Sequence, residues 1–160
     1  MKTELLFPGK GKPRALQEAE ALYANRLKND QIQVELYREE KVRAGDANAA
    51  QVAEAQRILK QIRSTDYLIA CDERGASLTT EALAGLYRDA RMRKGHWHAY
   101  KRIVIVVGGA HGLEATVRER ANQVVALSGL VLAGGVARVV LLEALYRAMC
   151  LLDGHPYHNE

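Results

Sequence analysis

Hydrophobic and polar positions alternate along this chain in two rhythms, and the changes of rhythm mark its elements. Residues 3–7 (TELLF) read as a short strand. From Arg14 to Lys28 the apolar residues Leu16, Ala19, Tyr23 and Leu27 recur at helical spacing. Residues 32–37 (IQVELY) alternate with period two and predict a second strand. Asp46 is placed to cap a helix running to about Arg63, with Val52, Ala55, Leu59 and Ile62 on one face. Residues 66–72 (DYLIACD) predict a buried strand that ends at Glu73-Arg74-Gly75. Thr79 or Thr80 caps the next helix, whose apolar face is Leu83, Leu86, Tyr87 and Ala90, and Gly95 is its expected stop. The β-branched run 102–107 (RIVIVV) suits a central parallel strand covered on both faces. A short helix near 114–122, a strand at 123–127 and a last helix from about Ala137 to Leu152 complete the series.

Strands alternating with helices predict an α/β fold, a mostly parallel sheet flanked by helices, with residues 1–160 forming one domain without repeat or linker. In such sheets ligands sit beyond the carboxyl ends of the strands. Three connections qualify: CDERG (71–75), GGAHG (108–112) and SGLVLAGG (128–135).

Composition narrows the class without changing it. With 160 residues, 48% of them hydrophobic and 26% charged, the chain can bury one real core and is neither fibrous nor disordered. Its apolar runs are broken by Arg, Glu or Gly well short of the ~20 residues of a membrane span. The opening MKTELLFPGKGKPR has too short an apolar stretch for a signal peptide, so a cytoplasmic location is expected. Cys71 and Cys150 lie in apolar runs and read as buried thiols, not as a disulfide.

The net charge of +4 is mild, but residues 88–102 hold six Lys/Arg and two His against one acid, Asp89. This is either the solvated end of a helix or a phosphate-facing patch, with Trp97 and Tyr100 available for stacking. The pairs His96/His98 and His155/His158 lack neighbouring Cys or carboxylate ligands, so no metal site is expected.

GGAHG permits positive φ and close backbone approach to a ligand, but it is neither a P-loop nor GxGxxG, and Ser128 stands where a ribose-binding acid would be. A turn without a ligand is the alternative. SGLVLAGG is small and uncharged, which predicts a buried connection or a loop wrapped round something flat. Its backbone can read an adenine edge while Leu130 and Leu132 meet the faces. The last helix is apolar nearly all round, which predicts cover from a second subunit. The tail GHPYHNE (154–160) carries a Tyr and two His suited to hydrogen bonding and proton exchange.

The ordered set GG-x-x-G (108–112), LS-x-L-x-L (127–132), R-x4-E-x-LYRA (138–148) and PYH (156–158) resembles the ribosomal RNA large-subunit methyltransferase H family, a branch of the SPOUT methyltransferases. The likeness spans nearly the whole chain. It implies a deep trefoil knot near the C-terminus and a homodimer. It further implies use of S-adenosylmethionine to methylate N3 of a pseudouridine in large-subunit (23S) ribosomal RNA on the assembled ribosome.

By position, the resemblance assigns the cofactor to Cys71, Asp72, Gly108, Gly109, Gly112, Leu127, Ser128, Gly129, Leu130, Val131 and Leu132. Arg138, Tyr157 and His158 fall on the methyl-acceptor side. The acceptor is an imide nitrogen that must lose its proton. His158 is therefore the candidate base, Arg138 the candidate stabiliser of charge on a carbonyl oxygen, and Tyr157 a stacking or hydrogen-bonding group. The tail would then lie over the partner's knot; the other reading is that it merely pins the C-terminus. Arg88, Arg91, Arg93, Lys94, Lys101 and Arg102 are candidate RNA contacts.

The chain departs from the family pattern twice. Gly134 and Gly135 stand where a His and then Pro or Gln precede the motif Arg, and Asn159 stands where a basic residue follows PYH. The departures motivate two alternatives: an RNA- or ribosome-binding protein without turnover, or a SPOUT enzyme with another RNA target.

Overall fold

The RIVIVV run forms the middle of a five-stranded sheet. In the computed structural model, which describes residues 1–9, 13–38, 47–109 and 111–159 (without the side chains of His158 and Asn159), the strand order is β2-β1-β4-β3-β5. These are β1 (Lys2–Pro8), β2 (Ile32–Tyr37), β3 (Asp66–Ser77), β4 (Arg102–Val107) and β5 (Gln123–Ala126). Every pairing is parallel. Along β4, Ile103, Ile105 and Val107 enter one core while Val104 and Val106 enter the other, so each residue of the β-branched run is covered.

Five helices clothe the sheet. α1 (Arg14–Arg26), α3 (Thr80–Arg91) and α5 (Gly134–Leu152) lie on the face of Ile105; α2 (Ala47–Gln61) and α4 (Ala115–Arg120) lie on the face of Val104. This division follows from right-handed crossovers in a parallel sheet. No described helix is long and apolar enough to cross a membrane.

Local chemistry moves several boundaries from their expected places. The expected cap Asp46 lies outside the described residues. In α2, Ala50, Ala55 and Ile58 are buried, whereas Val52 is exposed, because it lies about a third of a turn round the axis from Ile58. α3 starts as expected, with Thr79 Oγ1 accepting the Ala82 N–H at 3.2 Å. It stops before Gly95, in a turn where Lys94 N–H reaches the Asp89 carbonyl at 2.9 Å and Arg93 N–H the Ala90 carbonyl at 3.2 Å. Arg93 takes the left-handed conformation there, at φ 53°.

β3 does not end at Glu73. Cys71 pairs with Val125, residues 72–75 bulge outward, and Ala76 pairs with Val125 again. A Cβ on Gly75 would lie 2.5 Å from the Val125 backbone, so only glycine lets the strand return to β5.

α5 begins at Gly134, three residues earlier than its periodicity predicts, and lies on the sheet in contact with α1 and α3. Leu142, Leu145 and Ala148 are fully buried. Its apolar character is thus met largely within the chain; its partly open side carries Val136, Val139, Glu143 and Arg147.

Candidate active site

The three connections expected to hold a ligand converge beyond the carboxyl ends of β3, β4 and β5 around a cavity of about 690 Å³. Of the residues assigned by position, Cys71, Asp72, Gly108, Gly109, Gly112, Leu127, Ser128, Leu130, Val131 and Leu132 line it, and Gly129 does not. Gln51, Glu73, Arg74, Val107, His111, Leu113, Ala133, Gly134 and Ala137 complete the wall. Glu73 and Arg74 lie within the quoted CDERG loop and were legible as neighbours; nothing in the pattern of α2 marks Gln51.

Each wall has its own cause. The glycine turn folds back on itself: Gly109 and Gly112 form an isolated bridge, the Gly112 N–H donates to the Gly109 carbonyl at 3.1 Å, and Gly112 sits at φ 74°. A Cβ on Gly108 would stand 2.7 Å from the Gly112 carbonyl carbon. Gln51 Nε2 donates to the His111 carbonyl and ties the turn to α2. Ala110 lies outside the described residues.

Of the two readings of the 128–135 connection, burial does not hold: Leu130 is 77% and Val131 82% exposed, and both line the cavity. Two of its glycines are not squeezed either, since a Cβ on Gly129 or Gly134 would meet nothing within 4 Å. The tight backbone passages are at Gly75 and Gly108. Ser128 Oγ accepts the Leu130 N–H at 2.9 Å and sets the start of the loop, while Leu127 and Leu132 pack inward.

The inner wall is electrostatically quiet. Burial pushes the Cys71 thiol up to about 12, so it stays protonated at neutral pH. Asp72 accepts the Arg74 N–H at 3.0 Å and faces Arg118 Nη1 at 3.5 Å. Arg118 is in turn anchored on the Leu113 carbonyl.

The acceptor-side candidates lie elsewhere in this chain. Arg138, 3% exposed, is not part of the cavity wall. Its guanidinium donates to the Pro8 carbonyl, lies 5.4 Å from the Phe7 ring centroid and faces Glu20 at 3.8 Å. It binds α5 to β1 and α1.

Tyr157 sits past the far end of α5, whose 19 residues span about 28 Å. Its hydroxyl is 3.2 Å from that of Tyr23 and 3.4 Å from Glu143 Oε1. Its ring packs edge-on against Tyr146 at 4.7 Å, with the Arg147 guanidinium 4.9 Å from its centroid. The bond to Tyr23, then burial and the Glu143 charge, push the Tyr157 phenol up to about 12. The backbone of His158 belongs to the closing 3₁₀ turn, Pro156–Asn159, and its side chain lies outside the described residues.

The basic segment also lies at the end of the sheet opposite the cavity, because Arg102 opens β4. Much of it is engaged. Arg102 holds Asp66 and Glu4; Arg91 holds Asp30 at 2.8 Å and Asp153 at 3.4 Å; Arg93 donates to the His98 carbonyl at 3.1 Å. Arg102 is thus a structural ion-pair centre and not the open phosphate contact expected of it. Trp97 is buried against Tyr67, at 4.5 Å between centroids, and Tyr100 meets Tyr67 edge-on at 5.0 Å, so the two rings expected to stack on bases are packed in the protein. Arg88, Lys94 and Lys101 stay exposed.

Among the described residues no group of three or more His, Cys, Asp or Glu is placed to hold a metal ion.

Comparison with known proteins places this geometry in a family. The family model described as "Predicted SPOUT methyltransferase" matches residues 1–158. A protein of Laribacter hongkongensis named Ribosomal RNA large subunit methyltransferase H is 38% identical over 163 aligned residues that cover all of both chains. Proteins of the same name from Neisseria meningitidis serogroup A and Methylobacillus flagellatus are 36% and 35% identical, again with both chains covered throughout. With a full-length α/β match and a glycine-turned cavity at the strand ends, the chain belongs to the SPOUT methyltransferase family.

Proposed function

We propose that this protein is a cytoplasmic homodimer that methylates N3 of a pseudouridine in large-subunit ribosomal RNA, on the assembled ribosome, with S-adenosylmethionine as donor. The observation that carries the reading is the cavity itself: about 690 Å³, closed by a glycine turn on one side and a small-residue loop on the other. That size suits a nucleoside-bearing ligand. Leu127, Leu130 and Leu132 offer apolar surface for a purine, and the glycine turn brings backbone polar groups to the wall without side chains in the way. The knot of the family belongs to the same reading, and the close passage of Gly75 against β5 supports backbone packed on backbone near the cavity.

S-adenosylmethionine supplies an electrophilic methyl group on a sulfonium. The chain's part is to orient, exclude water and handle one proton. Cys71, protonated, is wall and not nucleophile. Tyr157, its phenol pushed up to about 12, stays protonated and serves as a hydrogen-bonding group. His158 is the proposed base for the imide proton. The tail lies about 28 Å of helix away from the cavity of its own chain, which supports a site made from one chain's cavity and its partner's tail. Arg88, Lys94 and Lys101 are the proposed phosphate contacts. Arg138, clamped between Phe7 and Pro8, is assigned to holding α5 in place.

Gly134 lines the cavity and leaves open space where the family pattern has a polar side chain. This favours keeping one second reading, a ribosome-binding protein that holds the cofactor without transfer. Incubation with intact ribosomes and labelled S-adenosylmethionine, followed by mapping of the modified nucleotide, tests the proposal. One methylated pseudouridine in the large subunit is expected; cofactor binding without label in RNA contradicts it and favours the second reading, and label at another nucleotide contradicts the target.

A further inference from the structure

Arg74 is the only Lys or Arg among the described residues of the cavity wall. It stands on the β3 bulge, a segment held at three points. Asp72 Oδ1 accepts the Arg74 N–H at 3.0 Å, Asp72 Oδ2 faces Arg118 at 3.5 Å, and Gly75 is pressed against the Val125 backbone, where any side chain would collide. The bulge therefore projects residue 74 from a rigid base. Arg74 is exposed, and no carboxylate among the described residues pairs with its guanidinium. A cation set on a fixed bulge in the wall of a ligand cavity, with no carboxylate among the described residues paired to it, is arranged to meet an anion from outside. The acids nearest in sequence do not cancel it: Asp72 is turned to Arg118, and Glu73 is exposed beside it.

We infer that Arg74 binds a backbone phosphate of the RNA beside the methyl-acceptor nucleotide, an inference that rests on the RNA-methylation reading above. The planar guanidinium fork matches two phosphate oxygens, and Arg74 is exposed, so a strand arriving at the cavity can reach it. Arg74 thereby supplies a polar contact at a cavity where Gly134 offers no side chain. It fixes the strand so that the acceptor base enters the cavity, and it is a positioning residue.

The test reads binding, so it needs no turnover. Ribosomes are sedimented with the full chain loaded with S-adenosylhomocysteine across a range of salt, comparing wild type, Arg74→Ala and Arg74→Lys. Arg74→Ala is expected to weaken ribosome binding about tenfold and to reduce the slope of log affinity against log salt by about 0.7. Arg74→Lys restores the slope but not the whole affinity. Calorimetry with S-adenosylhomocysteine is expected to give the same affinity for all three. Unchanged ribosome affinity in Arg74→Ala overturns the inference. So does a loss of S-adenosylhomocysteine affinity, which assigns the guanidinium to the cofactor's carboxylate. If instead the wild type transfers no methyl group while the salt slopes behave as stated, the methylation reading fails and the phosphate contact stands.

Discussion

The Arg102 guanidinium holds both oxygens of the Asp66 carboxylate, Nε on Oδ1 at 2.9 Å and Nη2 on Oδ2 at 2.8 Å, where β4 and β3 begin side by side. Nη1 adds Glu4 of β1 at 2.5 Å, and Nη2 also reaches the Gln61 carbonyl at 2.8 Å. One arginine thus ties the amino ends of three neighbouring strands. Breaking a pair whose carboxylate is nearly fully buried strands a charge. Arg102→Ala is expected to cost about 3 kcal/mol, a fall in Tm of roughly 6–12 °C for a chain of this length. Differential scanning calorimetry measures it, and the folded variant is expected to bind ribosomes as the wild type does.

The same cluster sets a pH dependence. Burial pushes the Asp66 carboxyl up, but the Arg102 hydrogen bond, the Arg63 N–H at 2.7 Å and the nearby arginine charges outweigh it and hold the group below its ordinary value. A carboxyl lowered in the folded state stabilises the fold above its unfolded pKa of about 3.9, and that contribution is lost as pH falls through the folded value. Thermal unfolding of wild type and Asp66→Asn is expected to differ most at neutral pH, with the gap closing as pH drops below about 4. A gap independent of pH contradicts the assignment.

Two glycines separate the demands of the bulge from those of a helix. Gly75→Ala would drive a Cβ to 2.5 Å from the backbone of Val125, where nothing flexible can yield. It is expected to lower Tm and to weaken S-adenosylhomocysteine binding together, because the bulge forms a cavity wall. Gly85→Ala lies within α3, where the nearest atom to a Cβ is the tip of Arg88 at 3.6 Å. It is expected to stabilise by roughly 0.5–1 kcal/mol. Calorimetry on the pair checks both signs.

Gly109→Val offers a way to fill the cavity while sparing the fold. The nearest atom to its Cβ is Glu54 Oε2 at 3.0 Å, the far end of a side chain and not backbone. At Gly108 the obstacle is backbone. S-adenosylhomocysteine affinity is expected to fall at least tenfold in Gly109→Val, with Tm within a few degrees of wild type; unchanged affinity would remove Gly109 from the site.

Much of this architecture was legible in the order of apolar residues. The β-branched run 102–107 has no polar face, which fits only a strand covered on both sides, and the three ligand-facing connections lie at the carboxyl ends of strands because the sheet is parallel. What could not be read off depends on partners distant in the chain. Arg102 looked like one cation among six, and its carboxylates are 36 and 98 residues away. β3 seemed to stop at Glu73 because polar residues break the apolar pattern, whereas a bulge needs only one glycine to resume the ladder. The composition of 128–135 left burial and contact with a flat ligand both open, and the chain order alone could not tell that Leu130 and Val131 stand exposed beside the cavity, as apolar residues do where a ligand or partner is to be met. Arg138, matched by motif to the acceptor side, faces Pro8 and Glu20 because its position on α5 turns it toward α1 and the end of β1.

Removal of residues 157–160 takes away the tail without touching the cavity wall. This truncated chain is expected to bind S-adenosylhomocysteine as the wild type does and to transfer no methyl group. Mixing it with Gly109→Val, which keeps its tail but loses its cavity, measures whether one chain's cavity works with the other's tail. After unfolding and joint refolding at equal amounts, random pairing yields one intact composite site in every mixed dimer. Methylation of intact ribosomes should then return to about a quarter of the wild-type level, although neither parent is active alone. A mixture as inactive as its parents would contradict the shared site on which the account rests.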